Sequence, residues 1–367
     1  MAFSSHQLGA LFSVIFMVFS WLALAELLHE SASKPMVLTY IVHSFYALYL
    51  LPAYYLLRHK TDVLPSTRQF IKRMGYMSVL LYVVSYTWYL SLPLTTVAVN
   101  TAIYQSASAV VLLLQPLLLH GSKYTITAST LTCVGLSLGG VFLSSFYGPT
   151  DGAVVAPDEG EFRGGKTAGF VWVAVSMFGY ALYEVLMKRF EQQDRKAAGE
   201  PLSGLLLSGE PPSMGETAGV GLLVVGSVGA LTALLLWPLV PLASAAGLEH
   251  FDIATVDWKT AGLASLLDGA FNAGLVVTIA FASPLFASVG SLLTIPLSLL
   301  FAHFFRDASV AWQCAVGMAL IVLSFVLMAR TEEAADEEEA AEQRSLIHHV
   351  GVNASDQIDV SFEQRTA

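Results

Sequence analysis

Charge is what this 367-residue chain has least of. Asp, Glu, Lys and Arg make up 13% of it, about half the share usual in soluble globular chains. Hydrophobic residues make up 55%, and the mean hydropathy is +0.64. That imbalance marks a protein whose solvent is mostly lipid. No basic patch with interleaved aromatics occurs, so nucleic acid is not an expected partner. The formal net charge of −10 misleads, because 332–342, EEAADEEEAAE, supplies seven of the acids. There are two cysteines, Cys133 and Cys314, both within apolar runs. No disulfide framework or CxxC pair can be built from them, and they read as small buried apolar residues. Enzyme signatures are missing as well: no HExxH, GxSxG, Walker loop or dinucleotide fingerprint, and the nine histidines lack ligand spacing. The expectation is no enzyme activity, no cofactor, no metal and no ATP-driven pump. No Lys or Arg precedes Lys34. The apolar stretch 8–28 carries ALA at 23–25, which resembles a cleavage site. Without a basic start, and being longer than the usual signal-peptide core, it reads as a retained first span.

Long apolar runs are what the chain does have. About 20 mainly apolar residues cross a bilayer core. By that measure the expectation is an all-α polytopic membrane protein with ten spans, near 8–28, 36–57, 74–92, 96–119, 126–146, 168–187, 217–243, 259–281, 284–305 and 309–329. The breaks HGSKYT and RD are short enough for tight antiparallel hairpins. With the N-terminus in the cytosol, thirteen of the 18 Lys and Arg residues fall on the cytosolic side. That bias predicts both termini cytosolic. The polar, Gly/Pro-rich 147–167 reads as a loop between halves and 190–216 as a cytosolic insertion. The tail 331–367 reads as disordered and acidic.

Ten spans divide into five and five, 1–146 and 168–330. An odd number of spans per half makes the second half enter the membrane inverted, a plan common among secondary transporters. TTVAVNTAIYQSASAVVLLL (95–114) and SPLFASVGSLLTIPLSLLFA (283–302) share small and hydroxyl residues first and aliphatic bulk later. Each precedes a polar break and a helix with a central glycine, Gly135 and Gly317.

Polar side chains in lipid cost about 2.5–3.5 kcal/mol when charged and mid-helix, so they face partners or wet cavities. Asp268 and Asn272 lie four apart, on one helical face with Ser265 a turn earlier. They read as a cavity group for a cation or coupling proton, or as a helix-joining pair. Asn100, Tyr104 and Ser108, also at spacing four and beside Thr101 and Gln105, read as a cavity wall or as interhelical bonding. Glu184 stands one turn before Lys188, a spacing that predicts a stabilising ion pair. Tyr180 and Tyr183 suit an interface belt or a ligand equally. Glu26, His29, His43 and His303 are weak candidates. Gly135 and Gly139 form a GxxxG, and Gly219, Gly221, Gly226 and Gly229 cluster in span seven. Both groups suit close helix packing.

The stretch SPLFASVGSLLTIPLS (283–298) has two prolines inside a spanning run. Pro284 falls in a first turn, where its missing N–H costs little. Pro296 lies mid-span and frees the carbonyl of Leu292, so a kink is expected, with Thr294 and Ser298 compensating. Gly290, with Ser288 and Ser291, admits a helix or substrate. This span therefore reads as a hinge-bearing cavity wall, with Ser288 and Thr294 as candidate substrate contacts.

SPLFASVGSLLTIPLSLLFAHFF, following GYALYEVLMKRF at the end of span six, resembles the F subgroup of the solute carrier 35 family, within the drug/metabolite transporter superfamily. The resemblance covers spans three to ten. It implies two inverted EamA-like halves, a central cavity, residence on endomembranes (Golgi, endosome or vacuole), and substrates such as nucleotide-derived metabolites or thiamine. From Ser283 to His303 there is no Lys or Arg, which tells against a nucleotide-sugar phosphate and for a cationic or neutral solute. The expected partners are the bilayer and a small-molecule substrate; a homodimer is left open. A competing class is a non-transporting membrane adaptor or receptor. EQRSLI (342–347) matches an acidic dileucine-type signal for a sorting adaptor, while the sequon NAS (353–355) would lie unused in the cytosol.

Overall fold

The computed structural model describes residues 5–28, 35–59, 67–95, 97–148, 165–197, 214–247, 249, 256–306 and 309–366. Among these residues the chain is all helical: α1 Ser5–Leu28, α2 Pro35–Phe45, α3 Leu50–Leu57, α4 Thr67–Ser91, α5 Val97–Gln105, α6 Ala107–Leu118, α7 Ala128–Tyr147, α8 Gly165–Ala197, α9 Met214–Leu235, α10 Leu239–Ala245, α11 Trp258–Phe281, α12 Pro284–Ser291, α13 Thr294–Arg306 and α14 Trp312–Thr366. Eight stretches are long and apolar enough to cross a membrane: 36–57, 99–118, 128–147, 167–193, 215–235, 258–281, 284–305 and 312–338. In α1 the apolar part is shorter, Leu8–Leu24. In α4 the basic Arg68, Lys72 and Arg73 dilute an otherwise apolar helix. Large apolar side chains face outward along these rods, among them Phe12, Phe16, Leu117 and Phe304. Apolar exposure on that scale suits lipid, not water.

Local chemistry sets where the helices start and break. Thr127 opens α7 with a reciprocal capping box to Thr130, which satisfies two otherwise orphaned donors. The preceding hairpin turns at Gly121, whose φ of 126° favours glycine. Asp257 caps α11 through the N–H groups of Lys259 and Thr260. These bonds with Thr260 hold the Asp257 carboxyl below its ordinary value. Ser283 caps α12 by accepting from Phe286 N–H at 3.1 Å, with Pro284 at the first helical position. Pro52 has no N–H to offer Leu48, and the chain just before it tightens into a 3-10 turn over Tyr46–Tyr49.

Two spans are broken in the middle. α5 and α6 meet at Ser106, and α12 and α13 meet at Leu292–Leu293. The second break sits a turn earlier than a kink at Pro296 would. The Leu292 carbonyl that Pro296 cannot reach accepts from Ile295 N–H at 3.0 Å, and Pro296 falls inside the first turn of α13. The hydroxyls of Thr294 and Ser298 donate to the carbonyls of Ser291 and Ile295.

In the bundle, α7 packs along α14, α1 along α11, α4 along α8, and α2–α3 along α9. On α9, a Cβ at Gly226 would stand 2.7 Å from Leu50 N, and one at Gly229 would stand 2.4 Å from Ala47 N. Those glycines let α9 lie against the 3-10 turn. The expected GxxxG contact is different. Gly135 and Gly139 face nothing within 4 Å, whereas Gly140 meets α14 backbone. The contact is made by Gly140 alone, one residue beyond the GxxxG. After 331, where a disordered tail is expected, α14 continues as helix to Thr366. The Ala- and Glu-rich 332–342 has high intrinsic helix propensity.

Candidate functional site

The bundle brings Asp268 of α11 against the 3-10 turn of span two. Tyr46 Oη donates to Asp268 Oδ2 at 2.5 Å. Asn272 Nδ2 donates to Tyr46 Oη at 3.0 Å and to the Asp268 carbonyl at 3.0 Å. His43, one turn before Tyr46, places Nε2 3.9 Å from the same Asp268 oxygen and 3.2 Å from Ser85 Oγ. Spans two and eight thus meet at one carboxyl, with α4 reaching it through His43. The cluster has unused capacity: His43 Nδ1 and Asn272 Oδ1 are buried without a partner. Among the described residues no His, Cys, Asp and Glu group is arranged to hold a metal ion.

Beside this cluster lies a cavity of about 20 Å³, room for a water-sized guest. Its walls are Trp21, Tyr104, Gln105, Tyr180, Phe271, Ser291 and Thr294. They come from α1, α5, α8, α11, α12 and α13, so both halves of the chain contribute. The rings form a connected wall. Trp21 stands 5.0 Å from Phe271 and 6.0 Å from Trp88, Trp88 stands 6.1 Å from Tyr104, and Tyr104 stands 5.5 Å from Tyr180, centroid to centroid. Among the described residues no cationic side chain lines the cavity.

Toward the far end of α11 a third group of polar contacts ties the bundle together. Lys188 Nζ donates to the carbonyls of Ile279 and Ala280 at 3.0 and 3.3 Å, satisfying acceptors at a helix C-terminus. Lys123, in the α6–α7 hairpin, pairs with Glu332 at 2.9 Å and Asp336 at 2.6 Å. Ser283 donates to Glu332 at 3.0 Å. Burial works against the Lys123 ammonium, but Glu332 and then Asp336 outweigh it and hold its pKa above the ordinary lysine value.

The structure distributes the candidate residues unevenly. Asp268 and Asn272 share one cluster, and Tyr104 and Thr294 share the cavity wall. Asn100 is buried elsewhere, donating to Ser91 Oγ at 2.7 Å and Thr95 Oγ1 at 2.9 Å. It fastens the turn between α4 and α5. Ser108 and Ser288 are buried but are not among the cavity's wall residues. Gly290 lets α12 approach Val14 of α1 and Phe325 of α14. The predicted Glu184–Lys188 pair does not form. Lys188 pairs instead with Glu191 at 3.1 Å, because the α11 carbonyls draw its ammonium toward the helix end. Tyr180 and Tyr183 are buried, 6% and 0% exposed, and so do not form an interface belt. His303 is exposed. The side chain of Glu26, the residue His29 and the side chains of 342–347 lie outside the described residues, as does most of 147–167 and of 190–216.

Sequence reasoning missed Tyr46, Trp21, Trp88 and Phe271. Each is one aromatic in an aromatic-rich apolar helix. Only the packing distinguishes those that face inward from their lipid-facing neighbours.

This geometry belongs to a polytopic helical membrane protein with a polar interior. No family model and no curated protein matches the chain. Among solved structures, a crystal structure described only as that of a protein matches with a TM-score of 0.60, over 91% of this chain and 99% of that one, at 16% identity. The likeness is one of fold.

Proposed function

We propose that the protein is a secondary transporter of a small polar or cationic metabolite, working by alternating access. The observation that carries this reading is the aromatic-walled cavity between the halves, with a hydrogen-bonded acid, Asp268, beside it. Intramembrane acids usually mark solute or proton pathways, and transporter sites lie at the interface between repeats, on discontinuous helices. Both broken spans border this cavity, Tyr104 and Gln105 at one break and Ser291 and Thr294 at the other.

In this reading α1 and α4 join the eight apolar stretches to make ten spans in two inverted five-helix halves. The packing partners support it. Exchanging first-half spans with their second-half counterparts turns α1 against α11 into α8 against α4. It returns α7 against α14, and α2–α3 against α9, to themselves. The resemblance to the drug/metabolite transporter superfamily, its solute carrier 35 members in particular, points the same way. It adds an endomembrane location with both termini cytosolic. Thiamine-like and nucleotide-derived solutes are the first to try. Ser108, Ser288, Asn272, Tyr104 and Thr294 are the side chains proposed to meet the solute as the cavity opens, with Gly290 and Pro296 flanking the hinge.

The test is uptake into proteoliposomes, with solutes chosen by a thermal-shift screen of thiamine, nucleotide sugars, nucleotides and amines. Saturable uptake that Asp268→Asn abolishes is the expected result. Undiminished uptake by Asp268→Asn removes the role given to this acid. Absence of uptake for every stabilising solute favours the alternative, a membrane adaptor or receptor using its 342–347 tail signal.

A further inference from the structure

The molecule buries a second intramembrane carboxyl, and among the described residues it has no ion-pair partner. Glu184 of α8 is 0% exposed, and neither of its oxygens takes part in a hydrogen bond. Its i+4 neighbour Lys188 is committed to Glu191 and to the α11 carbonyls. The Ser288 hydroxyl lies beside it. The hydroxyls of Tyr180 and Tyr183 are also buried and unpartnered. Four lone polar atoms within about one helical turn are a poor way to pack a core, since each has lost its water and gained nothing.

Their surroundings are rings. Glu184 lies within electrostatic reach of Tyr104, Tyr180 and Tyr183. Tyr104 and Tyr180 also line the cavity, and the ring wall continues from Tyr104 to Trp88, Trp21 and Phe271. A carboxylate backed by π faces attracts a positive group from two directions, by charge and by ring quadrupole. The same surroundings repel an anion.

We propose that Glu184 and this aromatic wall form a binding site for an organic cation, a quaternary or protonated ammonium. Glu184 is the counter-ion, and Tyr104, Tyr180 and Trp21 are the π surface. Asp268 is not the counter-ion, because Tyr46 and Asn272 already engage it. The cavity has room for a water-sized guest and not for benzyltrimethylammonium, so binding parts the rings. The two helix breaks, at Ser106 and at Leu292–Leu293, border the cavity on either side and are where such movement is cheapest. The site deepens the transporter reading by naming a solute class, and its use in transport rests on that reading.

Binding is measured on the purified full-length chain in detergent, by tryptophan quenching and calorimetry. The probe is benzyltrimethylammonium, and the control is its uncharged carbon isostere, neopentylbenzene. The expected result is saturable binding of the cation alone, weakened about tenfold or more by Glu184→Gln. Tyr180→Phe, which keeps the ring, should bind within about twofold of wild type. Glu184→Gln exchanges an unpartnered buried carboxyl for an amide of the same shape, so its melt should stay close to wild type, and weaker binding is then not misfolding. No saturable binding, equal binding by Glu184→Gln, or equal binding of the isostere overturns the proposal. The readout needs no transport. Glu184-dependent binding by a protein that moves no solute sinks the transporter reading alone. Asp268-dependent uptake with unaltered cation binding by Glu184→Gln sinks this site alone.

Discussion

Gly140 of α7 and Gly317 of α14 touch backbone to backbone. A Cβ at Gly140 would stand 2.6 Å from the Gly317 carbonyl oxygen, and one at Gly317 would stand 2.7 Å from the Gly140 oxygen. The contact is reciprocal, each glycine leaving room for the other's backbone. It draws the helices close enough for Ser324 to donate to the Cys133 carbonyl at 2.7 Å. Without a hydrophobic drive between helices in lipid, close approach of this kind is a main source of association.

Alanine at either position must therefore push backbone apart. Gly140→Ala and Gly317→Ala should each destabilise by about 1–3 kcal/mol, the usual cost of overpacking. Gly135→Ala and Gly139→Ala, whose new methyls meet open space, should leave stability unchanged or slightly raised. Thermal unfolding of the four variants in one detergent checks this. Equal melting shifts would show that the crossing is placed wrongly.

Tyr46 holds Asp268 through the shortest contact of the intramembrane cluster. Tyr46→Phe keeps the packing, removes the donor, and leaves Asn272 to serve the carboxyl. A hydrogen bond to a charged group is worth about 1.5–3 kcal/mol. That loss should appear in the melt, and transport should fall with it. Ser85→Ala, which touches Asp268 only through His43, should change both less. If Ser85→Ala proves the more damaging, His43 and not Tyr46 orients the acid.

The Lys123–Glu332–Ser283 contacts join the α6–α7 hairpin, α14 and the start of α12. The proposed alternating access requires one end of the bundle to part, and these contacts are among the polar ties at this end. Lys123→Met should free it. A lost tie of about 1 kcal/mol raises the open population about fivefold, read as faster thiol labelling of Ser291→Cys. The sign of the pH dependence is fixed by the raised Lys123 pKa. The stabilisation is complete below the unfolded lysine value of about 10.4 and fades only as pH rises through the higher folded value. Labelling of Ser291→Cys, corrected for thiolate content, should gain no contribution from Lys123 titration between pH 6 and 9, roughly.

How much of this was legible beforehand differs by feature. The apolar rods follow from hydropathy alone, and Asp268 and Asn272 announce themselves because acids and amides are scarce inside spans. Glu184 did not, since a Lys four residues on supplies a ready explanation, and only the competing α11 carbonyls remove it. Asn100 misled for the opposite reason. Its place in a polar stripe suggests a cavity, but Ser91 and Thr95, from the preceding turn, take both of its observed N–H bonds. Spacing identifies which residues share a face. It cannot identify what that face meets.

Pro296 gives the last test. The break at Leu292–Leu293 lies just ahead of it, and the other broken span, at Ser106, has no proline at its break: there Ser106 N–H reaches Ile103 O and Ala109 N–H reaches Ser106 O, both at 3.0 Å. A proline is thus not required to break a span at this level. At 296 it removes the N–H that would make the regular helical bond to Leu292, whose carbonyl takes Ile295 N–H instead. Pro296→Ala restores that donor. It should raise thermal stability, by up to roughly 1 kcal/mol for the added bond, while slowing uptake if the break is the hinge. Faster or unchanged uptake with higher stability would place the hinge elsewhere, at Ser106, where Ser106→Ala removes a hydroxyl that now donates to Ala102 O at 2.8 Å.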